Sequence, residues 1–152
     1  LGRLAPNNRD KLAHLLLRAC SEHKLDPLLA AALIRVRSDF RWFQRHGDPP
    51  QLGLWSLTTA DAEVMARACK VPWTGRQTLL SPASALRLGL SYLALLQKRF
   101  SSDERKTLTA FLAGPAQGLR FEPRADAKLQ AVVEGVLALR DEWREKLTLR
   151  RN

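Results

Sequence analysis

The chain has 152 residues, 45% of them apolar, enough for one domain with its own core and too apolar for wholesale disorder. A net charge of +10, from 25 Lys and Arg against 15 Asp and Glu, favours polyanionic partners such as nucleic acid, anionic lipid or an acidic polymer. An Arg-rich, solvated surface accounts for the same charge equally well. No apolar run reaches the length of a membrane span, and no signal peptide is visible.

The pattern is helical from end to end. Asn7 or Asn8 is placed to cap a first helix over 9–24, with Leu12, Leu15, Leu16 and Ala19 on its inner face. Asp26-Pro27 reads as N-cap and first position of a second helix, whose inner face is Leu29, Ala32, Leu33 and Val36. From about 40 to 52 the chain turns irregular, broken by Gly47 and Pro49-Pro50. A third helix is predicted over 58–69. Ser81-Pro82 repeats the cap-and-proline signal for a long helix through Lys98, and Ser102 or Asp103 caps another that stops at Gly114-Pro115. A last helix over 126–147 carries Leu129, Val132, Val133, Val136 and Leu139 at core spacing. No strand alternation, repeat or linker shows. The expected fold is all-α, one domain over 1–152.

Four blocks in this order resemble the soluble lytic transglycosylase (SLT) domain, a goose-lysozyme-like family, over residues 25–139. Asp26-Pro27 and the helix ending Arg37-Ser38-Asp39-Phe40 stand where the family has Asp-Pro and Glu-Ser-x-Phe. Gly53-Leu54-Trp55-Ser56-Leu57 matches Gly-Leu-Met-Gln-Leu. The segment from Ser81-Pro82 to Gly89 and Tyr92-Leu93 matches Asp-Pro-x-x-Asn-Ile-x-x-Gly-x-x-Tyr-Leu, and Ala110-Phe111-Leu112-Ala113-Gly114-Pro115 matches Ala-Tyr-Asn-Ala-Gly-Pro.

The resemblance implies a lysozyme-like helical fold and a cleft for peptidoglycan, in the periplasm or cell envelope. It also locates the departures. Arg37 occupies the position of the family's catalytic Glu, Ser56 that of a cleft Gln, Ala85 that of an Asn, and Phe111-Leu112 that of Tyr-Asn, while Val132-Val133 stands for Tyr-Val. Lytic transglycosylases use one carboxyl group first as acid and then as base; a guanidinium cannot release its proton near neutral pH. The expected catalytic set is therefore empty, and the expected function is a pseudoenzyme that binds or scaffolds. The alternative is an active enzyme with a substituted acid, for which Asp39, Asp48, Glu63 and Glu134 are the carboxylates considered.

A binding face is expected from Arg37, Ser38, Trp42, Trp55, Ser56, Phe111 and Leu112. Arg35, Arg37, Arg41 and Arg45 interleave with aromatic residues, and helical spacing would put Arg37 and Arg41 on one face, removable at little cost to stability. The alternative makes Phe40 and Phe43 core, the arginines a solvated rim, and Arg37 a buried partner of an acid such as Glu134. Glycan or an acidic protein is the expected partner; the SLT motifs set nucleic acid aside. No cofactor or metal is expected, because the histidines are scattered and no Cys/His cluster exists. Cys20 and Cys69 read as buried thiols or, in an oxidising compartment, as a disulfide. Trp73 and Trp143 read as packing residues.

Overall fold

The computed structural model describes residues 6–118 and 126–152. Within them lie eight helices and one two-stranded hairpin: α1 (Pro6–His23), α2 (Pro27–Ser38), β1 (Arg45–His46), β2 (Gln51–Leu52), α3 (Thr59–Cys69), α4 (Gln77–Leu80), α5 (Pro82–Arg99), α6 (Glu104–Ala113), α7 (Pro115–Gly118) and α8 (Ala127–Arg151).

Local chemistry explains most of the boundaries. The Asp26 side chain accepts from the Leu28 amide at 2.9 Å, Thr58 caps α3, Asp103 caps α6 and Asp126 caps α8. Ser81 holds the N-cap position of α5 with extended backbone but makes no capping hydrogen bond, so the Pro82 ring alone favours the start there. Asn7 and Asn8 lie inside α1, which begins at Pro6, so neither is its cap. The final helix continues to Arg151, four residues past the expected end.

α5 is the central helix. Ala85, Leu86, Leu88, Gly89, Leu90, Tyr92, Leu93 and Leu96 are all buried, because α1, α3, α4 and α6 pack around it. α2 is held between α1 and α8. That placement corrects its expected inner face: Ala30 and Ile34 are buried, whereas Val36 is 41% exposed. Leu15 of α1 is likewise 38% exposed, and Phe43 is half-exposed against the edge of Trp42. Trp73 and Trp143 pack partly buried against the core. The hairpin β1–β2 pairs Arg45 with Leu52 and His46 with Gln51; strands this short leave no alternation to detect in sequence.

α8 is latched to α2 by charge. Arg140, 8% exposed, lies against Glu104, Asp141 (2.6 Å) and Asp26 (3.9 Å), and Arg144 reaches the same Asp26 at 2.5 Å. The residue that caps α2 thus also docks the C-terminal helix.

Candidate functional site

α2 ends in a left-handed turn. Asp39 (φ 53°) closes the helix by donating its amide to the Arg35 carbonyl, and its carboxylate pairs with the Arg35 guanidinium. Phe40 is also left-handed (φ 59°), so the chain leaves the helix axis immediately. Arg41 therefore shares no helical face with Arg37, contrary to the expectation from spacing.

Opposite the last turn of α2 stands the tight loop between Leu52 and Leu57, which exchange two backbone hydrogen bonds of 2.8 and 3.1 Å. Gly53 (φ 71°) makes this loop possible: a Cβ there would lie 2.2 Å from the Leu79 carbonyl oxygen. The loop turns the carbonyls of Trp55 and Ser56 toward α2. Arg37 donates to both, from Nε to Trp55 at 3.1 Å and from Nη2 to Ser56 at 2.8 Å. No carboxylate pairs with Arg37 among the described residues, and Glu134 is bound instead by Arg105 at 2.8 and 3.0 Å. Burial pulls the Arg37 pKa below the ordinary arginine value.

The serines are drawn inward. Ser56 (φ 50°, 2% exposed) donates its hydroxyl to the Arg37 carbonyl at 2.7 Å and lies against the Gln44 amide, with His46 Nε2 at 3.3 Å. Gln44 also donates to the Gly53 carbonyl at 3.2 Å. Ser38 is 5% exposed and bonds back to the Ile34 carbonyl at 3.2 Å. Both hydroxyls serve the backbone.

The family model of the Transglycosylase SLT domain matches residues 15–132. The chain belongs to this family. Lytic transglycosylase Slt of Pseudomonas aeruginosa, solved as an inactive glutamate-to-glutamine mutant, superposes with a TM-score of 0.73 at 23% identity over 89% of this chain. The 70 kDa soluble lytic transglycosylase of Escherichia coli gives 0.74 at 19% identity over 96%. At these identities the likeness is one of fold. The chain spans about a quarter of either protein, 24% and 25% of their lengths. No curated protein sequence matches it significantly.

In this SLT domain two aromatic members of the expected face, Trp55 and Phe111, belong to one stack. Trp55 is fully buried, donates from Nε1 to the Ala85 carbonyl at 2.7 Å, and lies 5.4 Å from the ring of Phe111. Phe111 in turn lies 5.6 Å from Tyr92, whose buried hydroxyl has no hydrogen-bond partner among the described residues and whose pKa burial pushes up. Gly89 admits the indole: a Cβ there would sit 2.1 Å from Trp55 Cε2. Leu112 packs partly buried on the same core. Trp42 is elsewhere, lining a cavity with α1 and the start of α5.

The face expected from sequence thus resolves into a polar clamp (Arg37, Ser56 and, at one remove, Ser38), an aromatic stack (Trp55, Phe111, with Leu112 beside it) and the separate Trp42. Gln44 and His46 escaped the sequence reading because no spacing rule links 44 to 37 and 53. Cys20 and Cys69 are free thiols, each pushed by burial up to about 11. Among the described residues no His, Cys, Asp and Glu group could hold a metal ion, and no helix is long and apolar enough to cross a membrane.

Proposed function

We propose that this SLT domain does not cleave glycan, and serves as a binding or scaffolding module of the bacterial cell envelope for peptidoglycan or an acidic protein partner. One observation carries the reading: the guanidinium of Arg37, at the family's glutamate position, is spent on the carbonyls of Trp55 and Ser56. Glycosidic cleavage of this type needs a carboxyl group that protonates the leaving oxygen and then accepts a proton. A permanent cation does neither, and it opposes the positive charge that develops on the sugar ring.

Substituted acids find little support. Asp39 is paired with Arg35, Glu63 with Arg67 and Glu134 with Arg105, while Asp48 sits exposed in the hairpin turn. The Pseudomonas aeruginosa relative lost activity when a glutamate became glutamine, and arginine departs further from a carboxylic acid than an amide does.

Incubation of the purified domain with peptidoglycan, followed by mass spectrometry, tests the proposal. No anhydro-muropeptides are expected; release that persists through repurification refutes it. Cosedimentation with intact sacculi then separates a glycan partner, which pellets the domain, from a protein partner, which leaves it in solution.

A further inference from the structure

Away from the Arg37 clamp, one side of α1 faces a continuous trough. Lys11, Leu15, Arg18 and Glu22 recur at spacings of three and four, so they form a single stripe along the helix. Two cavities lie on this stripe. One, of about 290 Å³, reaches from Lys11 and Leu15 to Trp42 and Pro82. The other, of about 530 Å³, runs from Leu15 and Arg18 to Lys70, Arg87 and Ser91. They share Leu15 and Ala83, so they are two ends of one groove between α1 and α5. Trp42 lines one end, and Cys69 and Lys70 at the C-terminal turn of α3 line the other.

The groove has a mixed apolar and polar lining and is basic at its rims. Leu15, Ala83 and Val71 line it, with Leu15 38% exposed, above Leu86, which the core already buries to 1% exposure. Lys11, Arg18, Lys70 and Arg87 stand along the edges, all exposed. Glu22 is the lining acid, and it makes only an exposed pair with Arg18 at 3.3 Å, too weak to hold off a competing carboxylate. From Asn8 to Glu22 the stripe is roughly 20 Å long at ~1.5 Å per residue, which accommodates about four turns of a partner helix.

We propose that this α1–α5 groove binds an acidic amphipathic helix of a protein partner. The apolar stripe of the ligand lies on Leu15, Val71 and Trp42, and its flanking carboxylates meet Lys11, Arg18, Lys70 and Arg87. Charge complementarity selects this occupant. A membrane surface is a poorer fit, because here the apolar groups lie at the floor of a trough and cannot reach into a bilayer past its rims. Covering Leu15, Val71 and Trp42 contributes to association, while the four cations set orientation and encounter rate. The groove is separate from the clamp, so the inference holds whether or not the domain cleaves glycan.

The test uses the whole chain and a labelled synthetic helix of about 15 residues, with leucines on one face and glutamates on the others. Saturable binding is expected in fluorescence anisotropy, weakening as salt rises from roughly 50 to 500 mM. The double substitution Arg18→Glu, Arg87→Glu should lower affinity about tenfold or more, with helicity and melting temperature unchanged because both side chains are exposed. Leu15→Asp should act similarly. The double substitution Arg41→Glu, Arg45→Glu, outside the groove, should bind as wild type.

Several results would overturn the proposal. A composition-matched peptide with scrambled leucines that binds equally well would leave only net charge. Loss of binding in the Arg41 and Arg45 variant alone would move the surface. A dimer in sedimentation that Arg87→Glu abolishes would assign the groove to a second copy of the chain, and a DNA duplex or anionic vesicle that competes through Arg18 and Arg87 would assign it to that ligand.

Discussion

Arg37 and Ser56 are bonded in both directions: the guanidinium donates to the Ser56 carbonyl at 2.8 Å, and the Ser56 hydroxyl donates to the Arg37 carbonyl at 2.7 Å. The end of α2 and the Leu52–Leu57 loop are thereby tied side chain to backbone, twice. Through the bond to the Trp55 carbonyl the tie extends to the residue that fills the space above Gly89. The residue that the sequence resemblance sets at the family's acid–base position joins two elements of the fold.

Arg37→Ala is therefore expected to cost stability, against the inexpensive removal that helical spacing suggested. It leaves the carbonyls of two buried residues without their donor, worth about 2–3 kcal/mol. Arg41→Ala, on an exposed side chain, should stay within about 0.5 kcal/mol of wild type. Urea denaturation of the two single variants checks the contrast, and equal midpoints would remove the structural role of Arg37.

Arg37→Glu should not restore cleavage, and it should destabilise more than alanine does. A carboxylate facing the Trp55 and Ser56 carbonyls presents acceptor to acceptor in a half-buried position. Thermal melts combined with a muropeptide assay decide this. A well-folded, active Arg37→Glu variant would show that one substitution had silenced an otherwise complete site.

Gly89→Ala should be among the most damaging small substitutions in the chain. Its Cβ would meet the Trp55 indole at 2.1 Å, and overpacking of a fitted core costs about 3 kcal/mol at the upper end of its usual range. Pairing it with Trp55→Leu should recover part of that loss, since the second change vacates the space. A double-mutant cycle with coupling near zero would contradict the packing argument.

Asp26→Ala removes both the α2 cap and the carboxylate that Arg144 and Arg140 share. The expected loss is about 2–3 kcal/mol, against about 1 kcal/mol for Asp103→Ala, which removes a cap alone. Chemical denaturation of the two variants side by side measures the difference, and equal losses would mean that the latch to α8 is worth nothing.

Both cysteines should be slow toward thiol reagents at neutral pH and react only as the solution becomes strongly alkaline. Burial raises each from 9.0 to about 11, so the folded state favours the neutral thiol. The sign follows: this contribution to stability is complete below pH 9 and is lost as pH rises toward about 11, where thiolates form more readily in the unfolded chain. Reagent kinetics and urea midpoints across that window test it; rapid labelling at pH 7 would contradict it.

Caps and stop signals are local, which is why α2, α5 and α6 were legible within a residue or two from Asp26-Pro27, Ser81-Pro82 and Gly114-Pro115. The SLT motifs carried the fold in the same way, and the resemblance singled out Arg37 as the expected departure at the family's glutamate position. What Arg37 does there was not legible. Its partners are backbone carbonyls 18 and 19 positions away, and any residue type supplies a carbonyl, so no sequence pattern marks them. The same holds for Val36 and Leu15, whose exposure depends on which helices flank α2 and α1. It holds for Trp55, expected on the binding face but fully buried, because Gly89, 34 residues on, opens the space it fills. The starts and stops of α2, α5 and α6 are decided by neighbours along the chain, and the sequence alone determined them. Partners of a half-buried cation and the fit of an indole are decided by neighbours in space, which only tertiary packing brings together.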